Sequence, residues 1–157
     1  MITLNTITWD NWQACLRLKV TEEQDDFIAS NMFILAQSYV ALLNDDLPPM
    51  TFAINDGDKV IGFLMMGYDS REESEFDEAS YSVVRFMIDK SEQGKGYGKK
   101  AFHKTLEYIK TFPQGEATAV YLSYDPKNDV AKKMYADFGF IETGYEDEGE
   151  VYARLGL

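Results

Sequence analysis

The sequence contains one cysteine, Cys15, and one histidine, His103, in 157 residues. A lone thiol excludes an internal disulfide, and one Cys with one His cannot complete a four-ligand structural zinc site, so no metal is expected. The reducing cytoplasm is the natural compartment for such a chain. Long apolar runs are missing as well. Nothing approaches the ~20 apolar residues of a membrane span, and the opening stretch MITLNTITWDNW has no basic region feeding into an apolar one. A soluble, untargeted chain with no membrane partner is therefore expected. Basic residues are scarce: 15 Lys and Arg stand against 27 Asp and Glu, a net charge of −12. Nucleic acid is an unsuitable partner for that balance, because its affinity rests on Lys and Arg neutralising phosphates. A cationic partner is easier to accommodate.

What is present is the composition of a folded protein, 45% hydrophobic and 14% aromatic, without a Pro- or Ser-rich tract. One domain spanning residues 1–157 is expected at this length. ITLNTI suits a first strand, and Asp10 can cap a helix running through Trp12, Cys15 and Leu16 to about Val20. The loop TEEQDD leads to a second helix carrying Phe33, Ile34, Ala36, Val40 and Leu43, which stops before Pro48 and Pro49. TFAIN and KVIGFLMMGY around Asp56-Gly57 read as a β-hairpin. Residues 69–78 hold six carboxylates against Arg71, so they read as a solvated connection to the strand YSVVRFMID. A helix from Gly96 to Lys110, a buried strand ATAVYLSY, a helix from Asn128 to Phe138 and two short strands, FIETGY and EVYARL, complete the chain. The order is β-α-α-β-β-β-α-β-α-β-β, in the α/β (α+β) class.

Between a strand and a helix lies Gln93-Gly94-Lys95-Gly96-Tyr97-Gly98. Three glycines in five positions let the backbone bend with its N–H groups converging beside the positive end of a helix, which suits a phosphate or pyrophosphate. The plainer alternative is a tight turn that binds nothing. A Walker A loop is excluded because Gln93 stands where its first glycine belongs and Lys100 where its Ser or Thr belongs. A dinucleotide fingerprint fails at Lys99, where a third glycine is required. Charge adds weight to the phosphate reading. Residues 90–133 hold nine lysines and five carboxylates, net +4, which leaves −16 on the rest of the chain.

The same hexapeptide resembles the Q/R-x-x-G-x-G/A signature of the GNAT acetyltransferase superfamily. YLSYDPKNDVAKKMYADFGF is similar to that superfamily's second block, Asn-x-x-Ala-x-x-x-Tyr followed by Gly-Phe. The element order also resembles the GNAT fold, a mixed, mostly antiparallel sheet of about seven strands flanked by four helices. The resemblance implies an enzyme with acetyl-CoA as co-substrate. Its pyrophosphate would lie on the backbone of Gln93, Gly94, Lys95, Gly96, Tyr97, Gly98 and Lys99, and its pantetheine beside Phe86, Met87 and Ile88. A backbone N–H near Phe86 would face the thioester oxygen. Asn128 falls at a position that commonly contacts the cofactor. Tyr135 falls at the position of the acid that protonates the departing thiolate; a phenol, with pKa near ~10, carries the needed proton at neutral pH. A buried helix tyrosine with a satisfied hydroxyl is the plainer reading of that residue.

The acceptor is less marked. An amine of pKa near ~10.4 must lose a proton before it attacks. Relatives that place an acid on the strand before the glycine loop differ from this chain, which has Ser82, Val83, Val84 and only Arg85 there. A water relay or Glu23 is the fallback base. The segment Val20-x-x-x-Gln24-x-x-Phe27-Ile28 is similar to bacterial diamine and polyamine acetyltransferases, and the acidic loops around Glu23 and Glu75 border the acceptor site in the family. Spermine or spermidine is then the expected small-molecule amine, with Glu23, Gln24 and Glu75 meeting ammonium groups and Phe27 and Tyr81 packing methylenes. Acidic loops that serve only solubility are the plainer alternative. Acetylation of a protein lysine or N-terminal amine is the rival activity, and a non-catalytic CoA-binding module docking a basic partner is the rival of another class. A homodimer is a family-based expectation. His103 reads as surface and the methionines, Met65, Met66 and Met87 among them, as core filler.

Overall fold

The computed structural model describes residues 1–25 and 30–157. Seven strands, β1 (Ile2–Thr6), β2 (Met50–Asp56), β3 (Lys59–Asp69), β4 (Ser80–Ile88), β5 (Ala119–Tyr124), β6 (Ile141–Asp147) and β7 (Glu150–Gly156), form one sheet in the order β1-β2-β3-β4-β5-β7-β6. Every neighbouring pair is antiparallel except β4 with β5. Among the described residues there are five helices: α1 (Trp12–Arg17), α2 (Glu22–Asp25), α3 (Asn31–Asn44), α4 (Tyr97–Ile109) and α5 (Asp129–Asp137). None is long and apolar enough to cross a membrane.

Side-chain alternation along the strands divides the core. Ile54, Leu64, Met66, Tyr81, Val83 and Ile88 face α4 and α5, where Phe102 is fully buried against Tyr135, Phe138 and Phe140 at centroid distances of 5.0–5.9 Å. The opposite face is thinner: Ala53, Phe63, Met65 and Met87 pack with Cys15 of α1 and Ile34 of α3. On α4 the buried positions Ala101, Phe102, Thr105, Leu106 and Ile109 follow the helical period, while His103 and the lysines stay outside. Burial pushes the Cys15 thiol up to about 11, so at neutral pH it behaves as a small apolar side chain.

Three departures from the sequence reading have physical causes. The expected four helices become five because Thr21-Glu22-Glu23-Gln24 is a reciprocal capping box. The Gln24 N–H donates to Thr21 Oγ1 at 3.3 Å, and the Thr21 N–H donates to Gln24 Oε1 at 3.4 Å. Helix α1 ends at Arg17, short of Val20, because the next residues are claimed by the far end of β4. The Lys19 N–H donates to Asp89 Oδ1 (2.8 Å), and the Lys19 carbonyl accepts from the Lys90 N–H (2.6 Å). Asp10 does not cap that helix. Asn11 occupies the cap position, and its amide is spent on Thr8 N–H and the Thr6 carbonyl. The hairpin forms as expected, but its turn is Gly57-Asp58, one residue later, with Gly57 at φ 57°.

The departure that matters most for chemistry lies at the centre of the sheet. Strands β4 and β5 pair only at Ser80, Tyr81 and Ser82. Beyond Ser82 they splay, and the register of β4 against β3 slips by one residue between Met65 and Met66, which leaves Val84 as a bulge. A mid-sheet gap opens whose one wall is the unpaired edge of β4.

Candidate active site

The gap is a cleft of about 280 Å³. Phe86, Met87 and Ile88 of β4 form one wall, Ser123 and Tyr124 of β5 with Asp125 form the other, and Asn128, Met134 and Tyr135 close it from α5. Gln93, Gly94 and Gly98 sit at the loop end, Val20 and Gln24 on the α1–α2 side, and Glu150 at the start of β7.

The glycine loop is built to present backbone donors. Gly94 and Gly96 have φ values of 78° and 81°, a region where side chains with a Cβ are strained. Gly96 is the N-cap of α4 and, having no side chain, leaves the first N–H groups of that helix without a cap. Uncapped donors at the positive end of a 13-residue helix, opening beside the cleft, suit a pyrophosphate. The side chains of the loop have separate duties. Lys95 and Lys59 flank the buried carboxylate of Glu92, Lys99 pairs with Asp137 at 3.1 Å, and the Tyr97 hydroxyl donates to Asp56 at 2.9 Å. Lys95, Gly96, Tyr97 and Lys99 do not line the cleft, whereas their neighbours Gln93, Gly94 and Gly98 do.

Gln93 carries the loop's structural link to the other side. Its Nε2 donates to the Ile88 carbonyl at 3.0 Å and to Gln24 Oε1 at 2.8 Å, and Gln24 Nε2 donates back to Gln93 Oε1 at 3.2 Å. Helix α2 is thereby latched to the glycine loop across 69 positions of sequence.

Tyr135 is buried on α5, packed on Phe102 and Tyr124, and its hydroxyl has no protein partner among the described residues. Burial raises its pKa, with the Arg85 guanidinium pulling the other way, so the phenol is protonated at neutral pH. Tyr124 is pushed up to about 12 by burial and by Glu142, which accepts its hydroxyl at 2.9 Å. Arg85 is buried in the cleft wall. Its Nε and Nη2 donate to Asn31 Oδ1 at 3.1 and 2.9 Å, Nη1 has no partner among the described residues, and burial holds its pKa down to about 10. Asn128 spends its side-chain oxygen on the Ala131 N–H at 3.2 Å as the cap of α5.

The acceptor residues expected from sequence fare unevenly. Gln24 lines the cleft. Glu23 is exposed on α2 and does not line it, and Phe27 lies outside the described residues. Tyr81 is a correction: it is fully buried, and its hydroxyl donates to the Gly115 carbonyl and accepts from the N–H groups of Gln114 and Gly115. The β4 alternation turns it into the α4-side core. Glu75 lines a second cavity, with Phe76, Tyr121, Thr143, Tyr145 and Arg154. The acidic connection containing it is not wholly solvated. Phe76 stacks on Tyr121 (3.9 Å, 6°), and Glu78 is held by Arg154, Thr118 and Tyr121. Two carboxylates that do line the cleft, Asp125 and Glu150, escape sequence reasoning, because only the β5–β7 register brings residues 125 and 150 together.

A splayed parallel pair, an uncapped glycine-rich helix start and a buried tyrosine beside them is the arrangement on which comparison with known proteins bears. The acetyltransferase (GNAT) family model matches residues 6–140. The chain belongs to the GNAT family. It is an acetyltransferase. Among curated relatives, a probable spermine N(1)-acetyltransferase of Bacillus subtilis subsp. natto is 28% identical over 146 residues, covering 93% of this chain and 91% of the relative. A spermine/spermidine N(1)-acetyltransferase of Bacillus subtilis is 27% identical over the same shares. Among solved structures, an aminoglycoside N(6′)-acetyltransferase from Legionella pneumophila superposes with a TM-score of 0.73 at 14% identity, covering 99% of this chain and 91% of that one. A spermidine N-acetyltransferase from Vibrio cholerae in complex with CoA and spermine gives 0.71 at 18% identity, covering 99% and 94%. Such structural likeness supports the GNAT fold of the seven-stranded sheet.

Proposed function

We propose that this GNAT enzyme moves the acetyl group of acetyl-CoA onto a primary amine of a polyamine such as spermine or spermidine, by direct attack within a ternary complex. The observation that carries the reading is the cleft between β4 and β5, with α4's uncapped first turn at one end and Tyr135 in its wall. The spermine and spermidine names of the two curated relatives support the acceptor class.

When bound, the CoA thioester supplies the activated acetyl group. The N–H groups of the loop from Gln93 to Lys99 hold the pyrophosphate, and Phe86, Met87 and Ile88 flank the pantetheine. The unpaired edge of β4 near Phe86 offers an N–H to the thioester oxygen as negative charge grows there. Arg85, a buried cation whose near partner is the neutral Asn31, disfavours a second positive charge beside it and so lowers the pKa of the reacting amine. The proton leaves through water held by Asp125 and Glu150, whose carboxylates also meet the remaining ammonium groups. Tyr135 returns a proton to the departing thiolate. The lone buried Cys15 suits the reducing cytoplasm.

The test is release of free CoA thiol from acetyl-CoA with spermine, spermidine, putrescine, a lysine peptide and an aminoglycoside offered separately. Fast release with spermine or spermidine is expected. Release with the peptide or the aminoglycoside alone would replace the acceptor and keep the enzyme.

A further inference from the structure

The second cavity opens on the sheet face turned away from α4 and α5. Along β5, Val120 and Leu122 enter the α4-side core, so Tyr121 between them points to the other face, where it pairs with Arg154 of β7. The connection between β3 and β4 folds over that face. Phe76 lies flat on Tyr121 (3.9 Å, 6°), and Tyr145 of β6 stands at 87° to Phe76 with ring centroids 5.9 Å apart. Tyr152 of β7 completes the cluster, 5.1 Å from Tyr145 and 5.7 Å from Phe76. Four rings from four segments meet beside a cavity that the reaction proposed above leaves unused.

The unanswered charge there is of one sign. Arg154 lines the cavity, yet its Nε and Nη2 donate to Glu78 at 2.6 and 3.0 Å, so that cation is already neutralised. Glu75, in the lining, and Asp147, two residues beyond Tyr145, form no ion pair among the described residues. Asp147 and Glu75 together hold the Tyr145 phenol above its usual range, which shows that their field falls on the aromatic wall. Such a field repels an anion and draws in a cation.

Hydrogen-bonding groups decide which cation. An –NH3⁺ head carries three donors and gives up its water on entering. Few acceptors await it. Both Glu78 oxygens are occupied by Arg154, Thr118 and Tyr121, while Thr143 Oγ1 donates to the Tyr152 carbonyl at 3.1 Å and accepts from the Tyr145 N–H at 3.2 Å. The Glu75 carboxylate and the Tyr145 hydroxyl are what remains of the lining. A quaternary ammonium has no N–H to satisfy, and it is attracted by aromatic rings within ~6 Å and by a carboxylate at longer range.

We propose that this cavity is a second binding site, separate from the cleft, for a quaternary ammonium group, with Phe76, Tyr121 and Tyr145 as its aromatic walls and Glu75 as its counter-charge. The site does not depend on which amine accepts the acetyl group. Its walls stand in place before a ligand arrives, because the Glu78 clamp on Arg154 and Tyr121 ties the β3–β4 connection to the sheet, and a preformed wall lowers the ordering cost of binding.

Calorimetric titration with tetramethylammonium, choline and methylammonium chlorides tests this, at ionic strength held constant with sodium chloride and with neither acetyl-CoA nor an acceptor amine present. Tetramethylammonium and choline should bind at one site per chain, and methylammonium about tenfold more weakly. In proton NMR the N-methyl signal of choline should move upfield as it lies against the rings, a reading that depends on no variant folding. Tyr145→Ala and Glu75→Gln, both at exposed positions, should each weaken choline binding about fivefold with an unchanged circular dichroism spectrum. Spermine at equal concentration should leave choline bound. A trimethyl-lysine peptide separates the sources of the group: tighter binding than choline assigns it to a protein side chain, weaker binding to a free small molecule. Choline heats no larger than those of sodium chloride, equal affinity for methylammonium, or full affinity in both variants overturns the proposal. So does displacement of choline by equimolar spermine, which would make the cavity an extension of the acceptor cleft.

Discussion

The two halves of the cleft, proposed above to take donor and acceptor, are made differently. The donor half is mostly backbone: a splayed strand edge, two glycines at positive φ, and an uncapped helix start. The acceptor half is side chains from distant segments, Gln24, Arg85, Asp125 and Glu150, brought together by strand register and long-range hydrogen bonds. Backbone devices demand particular residues at fixed spacing; a wall of side chains does not. The first kind of site is written in a motif, and the second only in the fold.

The largest expected effect falls where the halves meet. Tyr135→Phe should lower kcat by ~10²-fold or more while acetyl-CoA affinity, measured by calorimetry, stays within about twofold, because the phenol contributes a proton rather than a binding contact. Wild-type turnover in that variant would remove Tyr135 from the chemistry. A donor-specific loss should follow from Gly96→Val, which forces a β-branched residue into a left-handed conformation and so raises the KM for acetyl-CoA by about tenfold, with the KM for amine little changed. Gly96→Asn, which tolerates that conformation, should recover most of the loss.

Effects on the acceptor half are smaller. Gln24→Leu removes both hydrogen bonds between the Gln93 amide and Gln24, worth ~1 kcal/mol net or about fivefold where water replaces them, and is expected to raise the KM for spermine by that factor. Equal KM values in wild type and variant would mean the latch is decorative. Within the acidic connection, Glu78 and Glu75 should part company. Arg154 holds the Glu78 carboxyl down to about 2, so the stability it contributes is complete above the ordinary carboxylate pKa of ~4.3 and drains away as pH falls from there toward 2. Thermal melting should drop over that window, and Glu78→Gln should flatten the drop. Glu75→Gln, in the separate cavity, should leave spermine kinetics unchanged.

The architecture was legible because its signals are local. The alternation of β3, the hairpin and the period of α4 all come from neighbours in sequence, and the glycine loop and the Asn128–Tyr135 block each supply residues that line the cleft. The capping box at Thr21 was equally local and readable, yet its four-residue helix is too short to leave a hydrophobic period. Tyr81 stays out of the cleft because it pairs with Val120 in the short stretch where β4 and β5 are still joined, and sequence does not mark where that pairing ends. Nothing in the chain's linear order joins residue 150 to residue 125; the antiparallel return of β7 along β5 does so.

Strand β6 ends the sheet with every residue exposed, and its pairing with β7 is broken between Glu142 and Glu146. An open rim of unpaired amides is an invitation to fibril growth, and here Glu142, Glu146 and Asp147 deter it by mutual repulsion in the ionised state. The repulsion between whole molecules that backs this deterrent vanishes at the isoelectric point near pH 4.4. Acidification should therefore cloud solutions of this enzyme at a pH where Glu78 is still bound to Arg154 and the fold is intact, so that turbidity precedes unfolding.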